Sequence, residues 1–124
     1  MSRPFPLAFS TLQPDPRPRR WLVLPPGYHA EAAPDEESPV FNASPDAVLS
    51  ALLEAAQAEP RVELLRQEAG QAELVQRSLV FRFPDYVTVQ AVACEPGAAL
   101  CLYSRAVIGY SDLGVNRKRA QRWI

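Results

Sequence analysis

The sequence has little of several residue types, and each shortage excludes a class of protein. Of its 124 residues, one is histidine, two are cysteine and one is lysine. One histidine and two cysteines without Cys-x-x-Cys spacing are too few ligands for a metal site, and two cysteines cannot form a disulfide scaffold. No phosphate-binding loop or dinucleotide fingerprint is present. The sequence therefore predicts neither a metal centre nor a cofactor.

Long apolar runs and excess positive charge are also missing. No run approaches the roughly 18 apolar residues that a membrane-spanning helix needs. The N-terminal stretch lacks the continuous apolar core of a signal peptide because Pro4 and Pro6 interrupt it. The net charge is -1 and the pI is about 5.8, which argues against nucleic-acid binding. We therefore expect a cytoplasmic protein without a membrane span.

Proline divides the chain into two parts. Nine of the 13 prolines lie before residue 40, and proline both fixes φ and lacks an amide donor. We expect a Pro-rich irregular arm with an acidic loop over residues 1–39, and a single α+β domain over residues 40–124. Within the arm, the apolar run at residues 21–24 is expected to add an edge strand to the sheet or to pack over it.

The second part has the pattern of a helix, several strands and another helix. Ser44 is a good N-cap, Pro45 suits the first helical position, and Asp46 favours the helix dipole. An apolar stripe follows at helical spacing and ends before Pro60. Strands are predicted over residues 61–67, 74–83, 86–94 and 100–107. The predicted fold is α+β, a four-stranded antiparallel sheet with one helix before it and one after it.

The last two strands form a hairpin whose turn contains Pro96 and Gly97, with glycine supplying a positive φ. Pairing across this turn puts Val89 and Leu102 on one face, and Thr88 and Arg105 on the other. The first face is expected to pack against a helix, and the second to be wetter. Whether Arg77 joins Arg105 depends on the register at residues 84–85, since a slip of one residue reverses the face.

Residues 103–119 are the densest arginine-rich and polar segment of the chain. Ser111 or Asp112 is expected to cap a helix that runs to the C-terminus. On that helix Leu113, Asn116 and Trp123 fall on one apolar face. A buried amide without partners costs about 1–3 kcal/mol, so Asn116 is expected to bond the backbone of the preceding loop.

Two interpretations of this segment remain open. In one, Arg105, Asp112, Asn116 and Arg119 bond each other and join the last strand to the last helix. In the other, they line a pocket in which arginines meet a carboxylate or phosphate bidentately. The candidate ligand-binding residues are Arg105, Ser111, Asp112, Asn116, Arg119 and Arg77.

The same segment resembles the closing signature of the domain of unknown function 1499 family. The matching residues are Ser104-Arg105-x-x-x-Gly109-x-Ser111-Asp112-x-Gly114-x-Asn116-Arg117-x-Arg119. Upstream, residues 75–85 resemble the family's strand that ends at an acidic turn. The resemblance covers about residues 40–124. It departs from the family by an extra residue before Gly109 and by Pro84 in place of an acid, and it implies no activity.

Three functions follow as hypotheses. The first is a non-catalytic binding or interaction module, with an anion-accepting pocket at the C-terminal strand-to-helix junction and a small anion or a protein as partner. The second is a hydrolase that uses Asp112 or Asp85 as base. The third is a structural or assembly protein that pairs with a second copy as a homodimer. The residues favour the first over an enzyme.

Overall fold

The computed structural model describes residues 3–124, which form two helices and one six-stranded sheet. The elements are β1 (Arg20–Leu24), β2 (Glu36–Glu37), α1 (Pro45–Gln57), β3 (Val62–Glu68), β4 (Gln71–Arg77), β5 (Pro84–Cys94), β6 (Gly97–Ala106) and α2 (Val115–Trp123). The strand order is β2-β1-β6-β5-β4-β3, with β1 and β2 parallel and the other neighbours antiparallel. The α+β class is confirmed. The prediction of a four-stranded, wholly antiparallel sheet was wrong in strand number and direction, because the sheet has six strands and one parallel pair.

The two additional strands come from the Pro-rich arm. Prolines are absent from residues 20–24, so the backbone there can pair, and Leu22 lies opposite Tyr103 of β6. The acidic loop then adds β2 beside β1, with Glu36 opposite Val23. The loop also contacts β1 through a side chain, because the Glu36 carboxylate accepts a bond from Trp21 Nε1 at 2.9 Å. The run at residues 21–24 was expected to add an edge strand or to pack over the sheet; it forms β1, but β2 and not β1 is the edge strand.

The strand predicted over residues 74–83 has different bounds. Strand β4 begins earlier and ends at Arg77, and residues 78–83 form a loop. Aromatic and β-branched side chains in this stretch favour a strand by composition. However, Arg82 has a φ of 61°, which interrupts an extended backbone, and Phe81 is exposed.

The predicted hairpin faces are confirmed by the register of β5 and β6. Val89 pairs with Leu102 on the helix-packed face, and Thr88 pairs with Tyr103 on the opposite face. The role predicted for Gly97 was wrong, because Gly97 lies in β6 opposite Cys94 and does not have a positive φ. A Cβ on Gly97 would lie 2.0 Å from the Phe41 carbonyl oxygen, so close backbone approach requires the glycine.

Helix α1 begins as predicted. The Ser44 side chain accepts a bond from the Ala47 amide at 3.2 Å, and Pro45 occupies the first turn. The buried side chains of the helix pack on one face of the sheet together with α2. That core includes Leu49, Leu52, Leu74, Leu100, Leu102 and Trp123.

The opposite face of the sheet is covered by the N-terminal arm. Leu7, Phe9 and Leu12 form a second buried cluster with Cys101 and Tyr103. This face was expected to be wetter, but its polar side chains are buried under the arm. The molecule therefore has three layers: arm, sheet and helices.

Neither helix in residues 3–124 is long and apolar enough to cross a bilayer. Both cysteines, Cys94 and Cys101, are free thiols. Burial raises the pKa of the Cys101 thiol to about 12.

Candidate functional site

The Asp112 side chain stabilises the loop between β6 and α2 by accepting two backbone hydrogen bonds. Its Oδ1 accepts from the Gly114 amide at 2.8 Å, and its Oδ2 accepts from the Asn116 amide at 3.1 Å. Leu113 and Gly114 both have positive φ, 55° and 82°, so the helix begins only at Val115. The N-cap position is therefore Gly114 and not Ser111 or Asp112 as predicted, although Asp112 still accepts from a first-turn amide, that of Asn116. Leu113 lies outside the helix and is 87% exposed, which corrects its predicted place on the apolar face.

Asn116 is fully buried, and both ends of its amide are engaged. Its Oδ1 accepts from Ser104 Oγ at 2.6 Å and from Arg119 Nη1 at 2.7 Å. Its Nδ2 donates to Asp112 Oδ2 at 2.7 Å and to the Arg19 carbonyl at 3.1 Å. The expected partner, the backbone of the preceding loop, is replaced by side chains and by the arm. The amide therefore fastens α2 to both β6 and the arm.

Arg119 connects α2 to three strands. Its Nε donates to Gln76 Oε1 on β4 at 2.7 Å, its Nη1 to Ser104 Oγ on β6 at 3.1 Å, and its Nη2 to Asp85 Oδ2 on β5 at 2.9 Å. We call Gln76, Asp85, Ser104, Asp112, Asn116 and Arg119 the junction cluster. Because its members bond each other, the interpretation in which Asp112, Asn116 and Arg119 join the last strand to the last helix is supported.

Arg105 is not part of the junction cluster. The register places it on the arm-covered face, where its Nη1 donates to Thr88 Oγ1 at 2.9 Å and to the Tyr103 carbonyl at 3.0 Å. Its guanidinium also lies 4.8 Å from the centre of the Tyr103 ring. No ion pair links Arg105 to a carboxylate of residues 3–124. Burial lowers its pKa to about 10.

A second buried charge lies on the same face, at Glu73. Its side chain has no exposed surface, and it accepts from Arg3 Nε at 2.8 Å and from Arg66 Nε at 3.0 Å. Burial opposes the charge on Glu73, but the hydrogen bonds and charges of these two arginines outweigh burial and lower its pKa. Arg3 also lies 3.5 Å above the Tyr86 ring, so the arm is held to the sheet by charge as well as by apolar contact.

A cavity of about 360 Å³ opens beside the junction cluster, and we call it the arginine cavity. Four members of the cluster line it, namely Gln76, Asp85, Asp112 and Arg119. Its other lining residues include Arg61, Arg77, Ser78, Phe83, Ile108, Val115 and Arg122. Four arginines against two aspartates give the lining a formal charge of +2. The cavity therefore presents an electropositive surface bounded by apolar side chains.

Two of these arginines have no acidic partner in the described chain. Arg122 is held by Glu59, whose pKa the Arg122 hydrogen bonds keep below its ordinary value, and Arg119 pairs with Asp85. Neither Arg61 nor Arg77 forms an ion pair within residues 3–124. Arg61 Nε instead donates to the Arg77 carbonyl at 2.9 Å.

The register at residues 84–85 settles the face on which Arg77 lies. Arg77 pairs with Pro84, and Gln76 pairs with Asp85. Arg77 is therefore on the face of Arg105, but it is the last residue of β4 and lines the arginine cavity at this end of the strands.

Ser111 lies outside the arginine cavity. It is exposed, its Oγ accepts from the Leu113 amide at 3.2 Å, and it lines a neighbouring cavity of about 500 Å³. In that cavity Arg17 pairs with Asp15 and Arg20 pairs with Asp35. Arg117 also lines this cavity and forms no ion pair within residues 3–124, and its guanidinium lies 5.1 Å from the centre of the Trp21 ring. With one such arginine rather than two, this larger cavity is the weaker candidate for an anion.

A family model described as "Protein of unknown function (DUF1499)" matches residues 6–124. The chain belongs to this family. The match begins further toward the N-terminus than the motifs at residues 75–119, and it includes β1, β2 and most of the arm. No curated protein and no solved structure matches the chain.

Within this DUF1499 chain, the sequence pattern identified some cavity residues and missed others. Arg77, Asp112 and Arg119 were among the predicted ligand-binding residues and do line the arginine cavity. Arg61 and Gln76 were missed. Arg61 lies in a turn, and its approach to the end of β4 follows only from the pairing of β3 with β4.

Proposed function

We propose that this DUF1499 protein is a non-catalytic binding module whose arginine cavity accepts a small anion with phosphate or carboxylate chemistry. The observation that carries the proposal is the presence of two arginines without an acidic partner, Arg61 and Arg77, on a cavity with a net positive lining. Guanidinium groups match the planar, bidentate geometry of carboxylate and phosphate oxygens.

The junction cluster supports this proposal as a rigid floor for the cavity. Arg119 makes four side-chain bonds, one from Nε, two from Nη1 and one from Nη2. A guanidinium has five N–H donors, so one Nη2 donor is left over for a ligand. Binding residues held by such bonds stay in place without a ligand, which lowers the ordering cost of binding.

The hydrolase alternative has less support. The Asp112 carboxylate already accepts from the Gly114 amide, the Asn116 amide and Asn116 Nδ2. Asp85 accepts from Arg119. A general base needs a lone pair directed at its substrate, and these bonds direct both oxygens of Asp112 and Oδ2 of Asp85 toward the protein. The geometry therefore favours anion binding over proton abstraction.

The protein's setting is also a proposal. Free thiols at Cys94 and Cys101 agree with a reducing cytoplasm. The partner would be a small anion rather than nucleic acid, since the positive lining is confined to one cavity in a chain of net charge -1.

Thermal unfolding in phosphate tests this function. We expect phosphate at about ten times its Kd to raise Tm by about 5 °C over sodium chloride of equal ionic strength, because a ligand that binds only the folded state stabilises it. The double variant Arg61→Gln, Arg77→Gln should lose most of this rise.

The matched control is Arg17→Gln, which removes a charge from a half-exposed side chain outside the arginine cavity. It should keep the full effect of phosphate. Phosphate also stabilises proteins generally, by exclusion from their surface. An equal rise in the wild type, the control and the double variant would assign the whole effect to exclusion and refute the proposed site.

A further inference from the structure

The exposed hydrophobic side chains of this protein are concentrated in two short segments. All nine large hydrophobic residues that are exposed within residues 3–124 fall in residues 79–83 and 107–115. Leu79 and Phe81 are more than two-thirds exposed, and the rings of Phe81 and Phe83 stack at 5.4 Å. Single exposed apolar residues are ordinary on a protein surface, but such clustering marks an interaction site.

The sheet brings both segments to one end of the molecule. Strand β4 ends at Arg77, opposite the start of β5 at Pro84, and β6 ends at Ala106, opposite Asp85. Residues 78–83 and 107–114, which we call the apolar loops, leave the sheet at this shared end. Phe83 of the first loop and Ile108 of the second line the arginine cavity together. The exposed apolar surface and the unpaired arginines are therefore contiguous.

Charge is distributed unequally between the two ends of the sheet. The end with the apolar loops carries Arg61, Arg77 and Arg82. Of its acids, Asp85 and Asp112 are engaged in the junction cluster, and Glu59 is paired with Arg122. The opposite end carries Glu68, the last residue of β3, and Glu95, in the turn between β5 and β6. An apolar surface surrounded by arginine is complementary to a surface that is apolar beneath a layer of negative charge.

We propose that this end of the molecule docks on an anionic phospholipid bilayer, with the apolar loops in the interfacial region and a headgroup phosphate in the arginine cavity. The headgroup part rests on the proposed function of the cavity. A second copy is a poorer occupant, because a two-fold contact through this end would bring the arginines of both copies together. A bilayer offers both the apolar depth and the phosphate.

Vesicle co-sedimentation of the full chain tests the docking. The wild type should sediment with vesicles of phosphatidylcholine and phosphatidylglycerol, but not with phosphatidylcholine alone, and salt should release it because exposed charges are screened. Replacing Leu79 and Phe81 together with serine should lower the bound-to-free ratio by about tenfold or more, since both side chains lose their apolar burial in the interface. Phe81→Leu keeps an apolar side chain and should bind like the wild type.

The outcomes separate this inference from the proposed function. The Arg61→Gln, Arg77→Gln variant should also lose vesicle binding, and equal binding by that variant would overturn the headgroup assignment. If the wild type responds to inorganic phosphate but stays in the supernatant with anionic vesicles, the docking is refuted and the anion site stands. A dimer in sedimentation velocity that the Leu79 and Phe81 serine variant abolishes, without vesicle binding, would make a second copy the occupant and likewise refute the docking. Equal melting temperatures of the variants and the wild type would confirm that each variant is folded.

Discussion

At the scale of single residues, the charges beneath the arm hold it to the sheet. Glu73 has no exposed surface and is shared by Arg3 and Arg66. Arg105, next to it on the same face, has no acid of its own within the described residues and relies on carbonyl oxygens, the Thr88 hydroxyl and the Tyr103 ring. Removing one partner of a buried charged group leaves the other unsatisfied, which is costly. The arm is therefore sensitive to the charge state of Glu73.

Glu73→Gln should lower the free energy of unfolding and make it less dependent on pH in the acid range. The pKa of Glu73 is lowered in the folded state, so the stability that it contributes is present above its unfolded pKa of about 4.3. That stability is lost as pH falls through the lower folded pKa. We expect urea denaturation at neutral pH to show a loss of about 1–3 kcal/mol in the variant, and a smaller further loss on acidification than in the wild type.

Glu68→Gln is the control for this change, because Glu68 is exposed on the neighbouring strand. It should leave both the free energy of unfolding and its acid dependence nearly unchanged. If the Glu73 variant loses as much stability on acidification as the wild type does, Glu73 is not the group responsible for the acid dependence.

Single residues also show which structural features the sequence pattern could predict and which it could not. Helical spacing predicted that Asn116 lies on a buried face, and it is fully buried. Its partners were not predictable, because the Arg19 carbonyl is 97 positions away along the chain. Arg105 and Arg119 belong to one motif, yet the two-residue period of β6 and the position of α2 place them on opposite faces of the sheet.

At the scale of elements, local patterns located the helices and the hairpin but not the pairing of the arm. The Ser44 cap and the register of β5 with β6 depend on neighbouring residues, and both were predicted. The apolar run at residues 21–24 was expected to add an edge strand or to pack over the sheet, and it forms β1, but its pairing with β6 and the addition of β2 beyond it were not predicted. Strand β2 has only two residues, fewer than any periodicity can show.

Gly97→Ala tests the contact between β6 and the segment before α1. A Cβ at this position would lie 2.0 Å from the Phe41 carbonyl oxygen and 2.7 Å from the Ala43 amide nitrogen. Both atoms are backbone, so the segment must move, and the hydrogen bonds between Phe41 and Ala98 at 2.7 and 2.9 Å would weaken. We expect urea denaturation to show a loss of about 1–3 kcal/mol, as for other overpacked sites.

Gly70→Asn provides the comparison for this variant. Gly70 has a positive φ and open space around its Cβ position, and asparagine tolerates that conformation. The Gly70→Asn variant should be close to the wild type. Wild-type stability of the Gly97→Ala variant would show that the close approach of Phe41 to β6 is not maintained in solution.

At the scale of the whole molecule, three layers place two kinds of polar cluster on opposite faces of one sheet. The arm covers Glu73 and Arg105, whereas α2 and the junction cluster border the arginine cavity. The sequence motif predicted where polar groups concentrate, and Asp112, Asn116 and Arg119 do meet. The unpaired arginine Arg61 could not be predicted, because its position depends on the turn before β3 and on the pairing of β3 with β4.

The central claim is that Arg61 and Arg77 bind an anion in the arginine cavity. Its most direct test is a phosphate titration followed by NMR of the arginine Nε–Hε groups, with ionic strength held constant by chloride. The account predicts saturable shifts for Arg61 and Arg77, and little change for Arg17, which lies outside the cavity. Small, unsaturated shifts spread over the exposed arginines would contradict it.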